Sequence, residues 1–259
     1  MTVTITNLTF NYNGQPILKG IDFTARRGER WGIIGRNGAG KSTLIRCMAG
    51  LEKGVFDSIA VDGESLNSIS QRSLAQFIAY VPQIHSGIYP FSVREYVMMG
   101  RFPYQGLMSI PSKQDKRIVD DALAIVGMSS FADRRMYALS GGEMQRVFLA
   151  GAVAQQAGVL LLDEPGTFLD PYHQELLQKA LDRIHDEFKT TIVTVTHDIN
   201  DALGHYSKIL ALVDGSVYFK GPSTELMADS TKQLKEIYGV TFTKINDTKR
   251  QISLVIPSG

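Results

Sequence analysis

One stretch decides the fold of this 259-residue chain: Gly35-Arg36-Asn37-Gly38-Ala39-Gly40-Lys41-Ser42-Thr43. It follows an apolar run at residues 31–34, which predicts a buried strand. It precedes residues 44–49, whose apolar spacing predicts a helix that ends at Gly50. A strand, a glycine-rich loop and a helix in this order are the context of a phosphate-binding loop.

The residue types of this stretch explain how it would bind phosphate. Gly35, Gly38 and Gly40 lack a Cβ, so the backbone N–H groups can turn inward and approach a polyphosphate closely. Lys41 would bring an ammonium group to the outer phosphates, the Ser42 hydroxyl can ligate Mg²⁺, and the helix directs its positive end at the same anion. An ordinary glycine-rich turn with a solvated lysine is the alternative, and the flanking strand and helix disfavour it. The stretch alone leaves ATP and GTP open.

Composition narrows the class of protein. The length favours one domain with an added lobe, and a net charge of +1 argues against a broad nucleic-acid-binding face. A single cysteine, Cys47, excludes an internal disulfide and suits a reducing compartment. No apolar run approaches the roughly 18 residues that span a bilayer, and residues 1–10 alternate like a strand rather than a secretory leader. A membrane role would therefore be exercised from the aqueous side.

Two polar side chains follow predicted strands in the first third of the chain. Tyr12 precedes an Asn13-Gly14 turn between antiparallel strands predicted at residues 3–10 and 17–25. It is a candidate platform for an adenine ring, and the alternative is an edge aromatic that packs on its own hairpin. Gln83 follows a strand predicted at residues 77–81, where its amide would reach a metal ion or the attacking water.

Helical periodicity dominates residues 84–157, which predicts a helical lobe inserted into the nucleotide domain, with helices at residues 93–99 and 114–126. Within it, Ser140 and Glu143 have the spacing of a capping box, so a helix should begin at Gly141. Gly141 and Gly142 would leave bare amides at the positive helix end, which is a second phosphate-binding device. A well-capped helix without a ligand is the alternative.

Paired carboxylates follow a second buried strand. Residues 159–162 are continuously apolar, as in a central parallel strand, and Asp163 and Glu164 come directly after them. Because ligands of such sheets lie at the carboxyl ends of the strands, Asp163 is placed to hold Mg²⁺ and Glu164 to take a proton from the attacking water. His197 follows another buried strand, at residues 191–196, and can donate to a γ-phosphate oxygen. A last hairpin, a polar helix and a short apolar tail at residues 252–256 complete the prediction.

Together these motifs resemble the ATP-binding subunit of an ABC transporter over nearly the whole chain. The resemblance implies an α/β fold, namely a P-loop NTPase (RecA-like) core with an antiparallel β subdomain and an inserted helical subdomain. It implies a single ABC ATPase domain over residues 1–259. Residues 1–83 and 158–240 would form the α/β core with its β subdomain, residues 84–157 the helical subdomain, and residues 241–259 a C-terminal extension. Adenylate-type kinases and GTPases share the first loop but lack a signature helix, and no Asn-Lys-x-Asp guanine-reading motif occurs.

The resemblance also implies roles for residues at the matching positions. The catalytic residues would be Glu164, His197, Gln83 and Lys41. Mg²⁺ would be held by Ser42, Gln83 and Asp163. ATP would be bound by Tyr12, Gly35, Asn37, Gly38, Ala39, Gly40, Lys41, Ser42, Thr43, Ser140, Gly141, Gly142, Glu143 and Asp170. Three positions depart from the usual family pattern: Arg36 replaces a common Pro, Gly151 a frequent Arg, and Gly166 a usual Thr or Ser.

The function implied is ATP hydrolysis that powers transport. Two copies would pair head to tail, so that residues 140–142 of one cover the γ-phosphate held by Lys41 of the other. The pair would bind a membrane permease from the cytoplasmic face, as a peripheral subunit, and act indirectly with an extracytoplasmic substrate-binding protein. Residues 90–101 look like importer subunits for iron-siderophore, haem or cobalamin, and no nucleic acid is expected. A soluble ABC ATPase without a permease, acting in iron-sulfur assembly or with DNA, is the alternative.

Overall fold

The structure is a computed structural model that describes residues 1–52, 58–83, 89–106, 110–228, 230–247 and 252–258. Its strands are β1 (Val3–Tyr12), β2 (Gln15–Ala25), β3 (Arg30–Ile34), β4 (Ile59–Val61), β5 (Glu64–Ser65), β6 (Ile78–Val81), β7 (Val159–Asp163), β8 (Thr191–Val195), β9 (Lys208–Val213), β10 (Ser216–Pro222), β11 (Phe242–Asp247) and β12 (Ile252–Pro257). Its α-helices are α1 (Lys41–Met48), α2 (Gln71–Phe77), α3 (Val93–Met99), α4 (Lys113–Ile125), α5 (Gly141–Ala154), α6 (Pro171–Phe188), α7 (Ile199–His205), α8 (Ser223–Ala228) and α9 (Ser230–Tyr238).

The central sheet has the strand order β10-β9-β3-β8-β7-β6 in the described part of the chain. Strands β9, β3, β8, β7 and β6 are parallel to their neighbours, and β10 is an antiparallel edge strand. Every residue of β7 and β8 is buried, as their continuous apolar sequences predict. The carboxyl ends of β3, β8 and β7 are adjacent, so the loops that follow them meet at one edge of the sheet.

A second sheet, in the order β2-β1-β4-β5, packs beside the nucleotide loop. The β1–β2 hairpin was predicted and is confirmed, with Tyr12 paired to Gln15 at its tip. Leu18 of β2 is buried against Gly40, where an added Cβ would lie 2.8 Å from the Leu18 side chain. The hairpin therefore supports the loop that begins α1.

The predicted helical lobe contains α3, α4 and α5, with the helix at Val93–Met99 matching its prediction. Helices α3 and α5 pack so closely that a Cβ on Gly100 would lie 2.2 Å from the Gly151 carbonyl oxygen. The Tyr96 ring covers Gly151, and an added Cβ there would lie 3.2 Å from it. This packing explains why Gly151 replaces the larger residue of the family pattern. Residues 84–88, at the predicted start of the lobe, lie outside the described residues.

The C-terminal part differs from the prediction of one polar helix and an apolar tail. Two helices, α8 and α9, precede an antiparallel hairpin of β11 and β12, so describing residues 252–256 as a tail was wrong. Phe242 and Val255 are buried in a core shared with α7 and α9. The Asn200 side chain also donates to the Val255 carbonyl (3.0 Å) and accepts from its N–H (2.9 Å). Burial of Phe242 and Val255, together with this paired contact, holds the hairpin in place. Within the described residues, no helix has the length and apolar character needed to cross a membrane.

Candidate functional site

The loop between β3 and α1 has the geometry of a backbone cage. Gly35, Gly38 and Gly40 have φ values of 146°, 82° and 96°, in a region that favours glycine. A Cβ on Gly35 would lie only 2.4 Å from the Leu212 carbonyl oxygen, so no larger residue fits there. Of the other predicted loop residues, Ala39 is buried, Asn37 is exposed and Thr43 is half-buried in α1.

Lys41 lies at the first position of α1 and is 5% exposed. Its Nζ donates to the carbonyl oxygens of Gly35 (2.9 Å) and Arg36 (3.0 Å), which closes the loop on itself. Burial lowers the pKa of Lys41, and the nearby charges of Glu164 and Asp163 oppose that effect. The ammonium therefore has neutral acceptors in direct contact and two carboxylates close by, an arrangement that an anionic phosphate would complement.

Asp163, at the end of β7, is joined to the loop by a hydrogen bond. Ser42 Oγ donates to its Oδ1 at 3.0 Å, and Tyr80 Oη donates to its Oδ2 at 3.4 Å. Burial raises the pKa of Asp163 and the Ser42 hydrogen bond lowers it, with burial the larger effect. Hydroxyl and carboxylate oxygens are the ligands that Mg²⁺ prefers, usually with waters and substrate phosphates completing its shell. Among the described residues, no group of three His, Cys, Asp or Glu side chains could hold a metal by itself.

The remaining predicted catalytic residues, Gln83 and His197, both lie next to the Glu164 carboxylate. Gln83 Nε2 donates to its Oε2 at 3.3 Å, Thr167 Oγ1 donates to the same oxygen at 3.0 Å, and His197 Nδ1 lies 3.5 Å from it. Glu164 has a φ of 49°, a left-handed conformation that is strained for a non-glycine residue. Its N–H donates to the Val195 carbonyl at 3.0 Å, which ties this strained residue to the neighbouring strand.

The second predicted phosphate-binding device is a fully formed capping box. Ser140 accepts from the Glu143 N–H (3.3 Å), and Glu143 accepts from the Ser140 N–H (2.7 Å), so α5 begins at Gly141 as predicted. Ser140 and Gly141 are exposed, whereas Gly142 packs on His173, with 2.5 Å between an added Cβ and that ring. Asp170 caps α6 and accepts from the N–H and the ring of His173. In the described part of the chain, no hydrogen bond or ion pair joins residues 139–143 to residues 35–43.

The site contains two contacts that sequence reasoning missed. Tyr80 was predicted only as part of a strand, although it lies three residues before Gln83 and reaches Asp163. Thr167 was given no role, although its hydroxyl holds the Glu164 carboxylate. Tyr12, by contrast, is 62% exposed at its hairpin tip, in keeping with either reading of its role.

Two of the three departures from the family pattern lie at this site. Arg36 extends to the end of α9, where an added Cβ on Gly239 would lie 3.3 Å from the guanidinium. Gly166 faces open space, and no described atom lies within 4 Å of an added Cβ. Arg36 therefore contacts the C-terminal part, and Gly166 leaves room next to Glu164.

The fold and the loop geometry define a P-loop nucleotide-binding ATPase core. The family described as ABC transporter matches residues 18–167. The chain belongs to the ABC transporter family and is an ATPase that binds ATP, so the predicted fold class is confirmed.

The similar proteins are ATP-binding subunits of transport systems. The chain is 37% identical to the petrobactin import ATP-binding protein FpuC of Bacillus anthracis, over 83% of this chain and 78% of that protein. It is 33% identical to the iron(3+)-hydroxamate import ATP-binding protein FhuC of Bacillus subtilis (strain 168), over 93% and 89% of the two chains. Among solved structures, a metal-chelate type ABC transporter in an inward-facing conformation superimposes with a TM-score of 0.86 over 100% and 98% of the chains at 24% identity, which supports the fold. The dimeric ABC transporter cassette MJ0796 has a TM-score of 0.72 at 26% identity, over 85% and 98%.

Proposed function

We propose that this chain is the ATP-hydrolysing subunit of an importer that takes up an iron chelate, haem or cobalamin through a membrane permease. The observation that carries the proposal is the convergence of Lys41, Asp163, Glu164, Gln83 and His197 at one sheet edge, in a chain similar to siderophore-import subunits. The chain would act as a peripheral subunit on the cytoplasmic face of the membrane. A substrate-binding protein outside the cytoplasm would deliver the substrate to the permease.

Each side chain of the site has a task in this proposal. Lys41 and the N–H groups of the glycine loop bind the outer phosphates. Glu164 takes a proton from the attacking water, and the donors Gln83 and Thr167 orient its carboxylate. His197, 56% exposed at its side chain, donates to the γ-phosphate. Tyr12 stacks on the adenine from the hairpin tip.

Mg²⁺ fits the oxygen donors beside the loop. Ser42, Asp163 and Gln83 would hold it, with Asp163 contributing through water. When bound, the ion neutralises charge on the β- and γ-phosphates. The buried Asp163, whose pKa burial raises, would gain a cation that offsets its desolvation.

The exposed start of α5 supports a site shared between two copies. Ser140 and Gly141 are exposed at the positive end of α5, and no described contact joins them to the loop of the same chain. We therefore assign Ser140 to Glu143, together with Asp170, to the nucleotide held by the other copy of a head-to-tail dimer. Hydrolysis would weaken this shared interface and separate the two copies.

Subunit mixing tests the shared site. A variant altered at Ser140 and a variant altered at Lys41 should each be inactive alone as homodimers. In a mixed dimer, the intact Lys41 of one copy would face the intact Ser140 of the other, so turnover should reappear on mixing. If the site lay within one chain, every site in the mixture would carry one defect, and no recovery would be seen.

Reconstitution tests the importer assignment. The full chain would be placed in proteoliposomes with a permease and a substrate-binding protein of this importer class that co-purify with it, and ATP-dependent uptake of a ferric siderophore, haem and cobalamin would be compared. We expect uptake of one of these classes, abolished by Glu164→Gln. Stable association only with soluble partners or with DNA, and no uptake, would favour the permease-free alternative.

A further inference from the structure

A small cavity lies directly behind the strained turn that carries Glu164. It has a volume of about 70 Å³ and separates the ends of β7 and β8 from α6 and α7. Its lining includes Glu164, Gly166, Gln178, Thr194, His197, Asp201 and Tyr206. The cavity therefore touches the proposed general base on one side and the first turns of α7 on the other.

Three deeply buried polar side chains line this cavity. Gln178, Thr194 and Tyr206 are 9%, 1% and 2% exposed. Gln178 Oε1, Thr194 Oγ1 and Tyr206 Oη each lack a direct hydrogen bond of normal geometry to any described protein group. Thr194 and Gln178 do approach the Tyr206 hydroxyl closely enough to lower its pKa, although burial dominates and raises that pKa to about 12. Such buried groups are rarely left without partners in folded proteins, because each would cost about 1–3 kcal/mol.

We propose that this cavity holds a cluster of ordered water molecules, and that the cluster carries a proton from Glu164 to Asp201 during ATP hydrolysis. The proposal rests on the role proposed above for Glu164. A cavity needs roughly 10–15 Å³ to hold one water, so this one has room for a few. The three polar groups on its wall that lack a hydrogen bond of normal geometry supply the two to four polar contacts that a buried water needs.

Asp201 closes the far side of the cavity. Its Oδ1 accepts from Gln178 Nε2 at 2.8 Å, which holds the carboxylate toward the buried polar groups. Burial raises the pKa of Asp201, so its carboxyl group retains a proton more readily than an exposed one. The ionisable groups around it are Asp198, His205, Glu164, His197 and Tyr206, with Arg30 stacked over the Tyr206 ring at 5.6 Å.

Gly166 makes the connection to Glu164 possible. It lines the cavity, and an added Cβ there would meet no described atom within 4 Å. The usual Thr or Ser of the family pattern would place a side chain in this space. Gly166 therefore adds no side chain to the cavity wall beside Glu164.

The proposed transfer conserves protons and charge. The attacking water gives one proton to the Glu164 carboxylate as its oxygen bonds to phosphorus. That proton then moves along hydrogen-bonded waters to the ionised Asp201 carboxylate, which restores Glu164 as a base. Asp201 later returns the proton to solvent. Asp201 is a positioning and proton-accepting residue in this scheme, without contact to the nucleotide.

The pH dependence of turnover tests the relay. In the full chain, kcat should rise with pH through the titration of Asp201, because only the ionised carboxylate accepts a proton. Asp201→Asn preserves an oxygen that accepts from Gln178. We expect this variant to lose the rise of kcat with pH and to have a kcat lowered by about tenfold or more, a smaller loss than removal of a direct general base causes. The KM for ATP should stay within about twofold, since the residue does not touch the nucleotide. Asp186→Asn, at an exposed acid on α6, is the matched control and should leave the profile unchanged.

A crystal structure that resolves ordered waters tests the site independently of catalysis. We expect waters on Thr194, Tyr206 and Gln178 in the wild type and in Glu164→Gln, and fewer of them in Tyr206→Phe, which keeps the ring. Tyr206→Phe should also lower kcat, which covers the case in which Asp201→Asn does not fold. A dry cavity, or an Asp201→Asn profile that retains the wild-type shape, overturns the proposal. Either result leaves the assignment of Glu164 intact, whereas full turnover in Glu164→Gln removes that assignment itself.

Discussion

Two buried cations show how differently this molecule uses charge in its two regions. Lys41 in the nucleotide loop and Arg101 in the helical lobe are each 5% exposed. Arg101 donates to the Asp115 carboxylate (3.0 Å), to the Ala154 carbonyl (2.8 Å) and to Gln156 (3.0 Å). Its guanidinium also lies over the Tyr104 ring, 4.1 Å from the centroid. Among the described residues, Lys41 donates to two carbonyl groups of its own loop and to no other group.

The difference separates a structural charge from one that can change partners. Among the described residues, Arg101 has a carboxylate and two neutral acceptors, and the pKa of Asp115 is lowered first by its Ser112 hydrogen bond and then by Arg101, which stabilises the ionised pair. Lys41 has a lowered pKa because its burial is incompletely compensated. We therefore expect changes in the helical lobe to affect stability, and changes at the sheet edge to affect binding and chemistry.

Glu164→Gln should have the largest effect and leave stability nearly unchanged. We expect ATP turnover to fall by about 10²–10⁴, the contribution of a positioned base, while ATP binding is retained. The glutamine keeps an oxygen that accepts from Gln83 and Thr167. Turnover and equilibrium ATP binding would be measured beside Glu187→Gln, an exposed residue paired with Arg183. Near-normal turnover would remove Glu164 from its proposed role.

Arg101→Met should lower stability and leave ATP binding nearly unchanged. Removing one member of a buried ion pair leaves the Asp115 carboxylate without its counter-ion, although Ser112 still donates to it, and costs about 3–5 kcal/mol in the free energy of unfolding. Denaturant unfolding of the nucleotide-free chain measures this loss, and Arg94→Met, at a partly exposed ion pair, is the control. At a temperature where the variant is folded, its ATP affinity should equal that of the wild type. A variant as stable as wild type would show that the Arg101 contacts contribute little.

Lys41→Ala should weaken ATP binding with a smaller loss of stability than Arg101→Met. A charged hydrogen bond is worth about 1.5–3 kcal/mol, so affinity should fall by roughly 10- to 100-fold. The buried charge of Lys41 is incompletely compensated in the folded protein, so its removal should lower the free energy of unfolding only a little. Lys179→Ala, at an exposed pair with Glu175, controls for loss of a surface charge. Unchanged ATP affinity would contradict the cage geometry of the loop.

The sequence predicts the local motifs of the site, and it does not predict contacts between distant parts of the chain. The loop at residues 35–43, the carboxylates at the end of β7 and the capping box at Ser140 were predicted because each is a local pattern whose geometry follows from its own residues. The Arg101–Asp115 pair joins the end of α3 to α4, and the bonds between Asn200 and Val255 join residues 55 positions apart. Such contacts leave no periodic signal in one sequence.

The C-terminal hairpin was missed for a related physical reason. Strand β11 carries polar residues and buries Phe242, while β12 buries Val255 between two exposed aliphatic residues. Only the packing against α7 and α9 makes these segments strands, so propensity alone favoured a tail. The cavity behind Glu164 is equally a product of tertiary packing.

Asp163→Asn should have the smallest effect, which is a change in thermal stability that depends on pH. Burial raises the pKa of Asp163 above its ordinary value of 3.8, so the folded state binds a proton more tightly than the unfolded state does. The Asp163 contribution to stability is therefore most favourable below pH 3.8 and falls as the pH rises through the raised folded-state pKa. At pH 7 the nucleotide-free variant should melt above the wild type, by about 2–4 °C for each 1 kcal/mol gained, because Asn removes the buried charge and still accepts from Ser42. The gain should shrink as the pH is lowered toward 4, as followed by thermal unfolding, with Asp186→Asn as the exposed control. Saturating ATP and Mg²⁺ should reverse the order in favour of the wild type. A variant less stable than wild type at neutral pH would show instead that the ionised carboxylate is already compensated within the fold, as Asp115 is by Arg101.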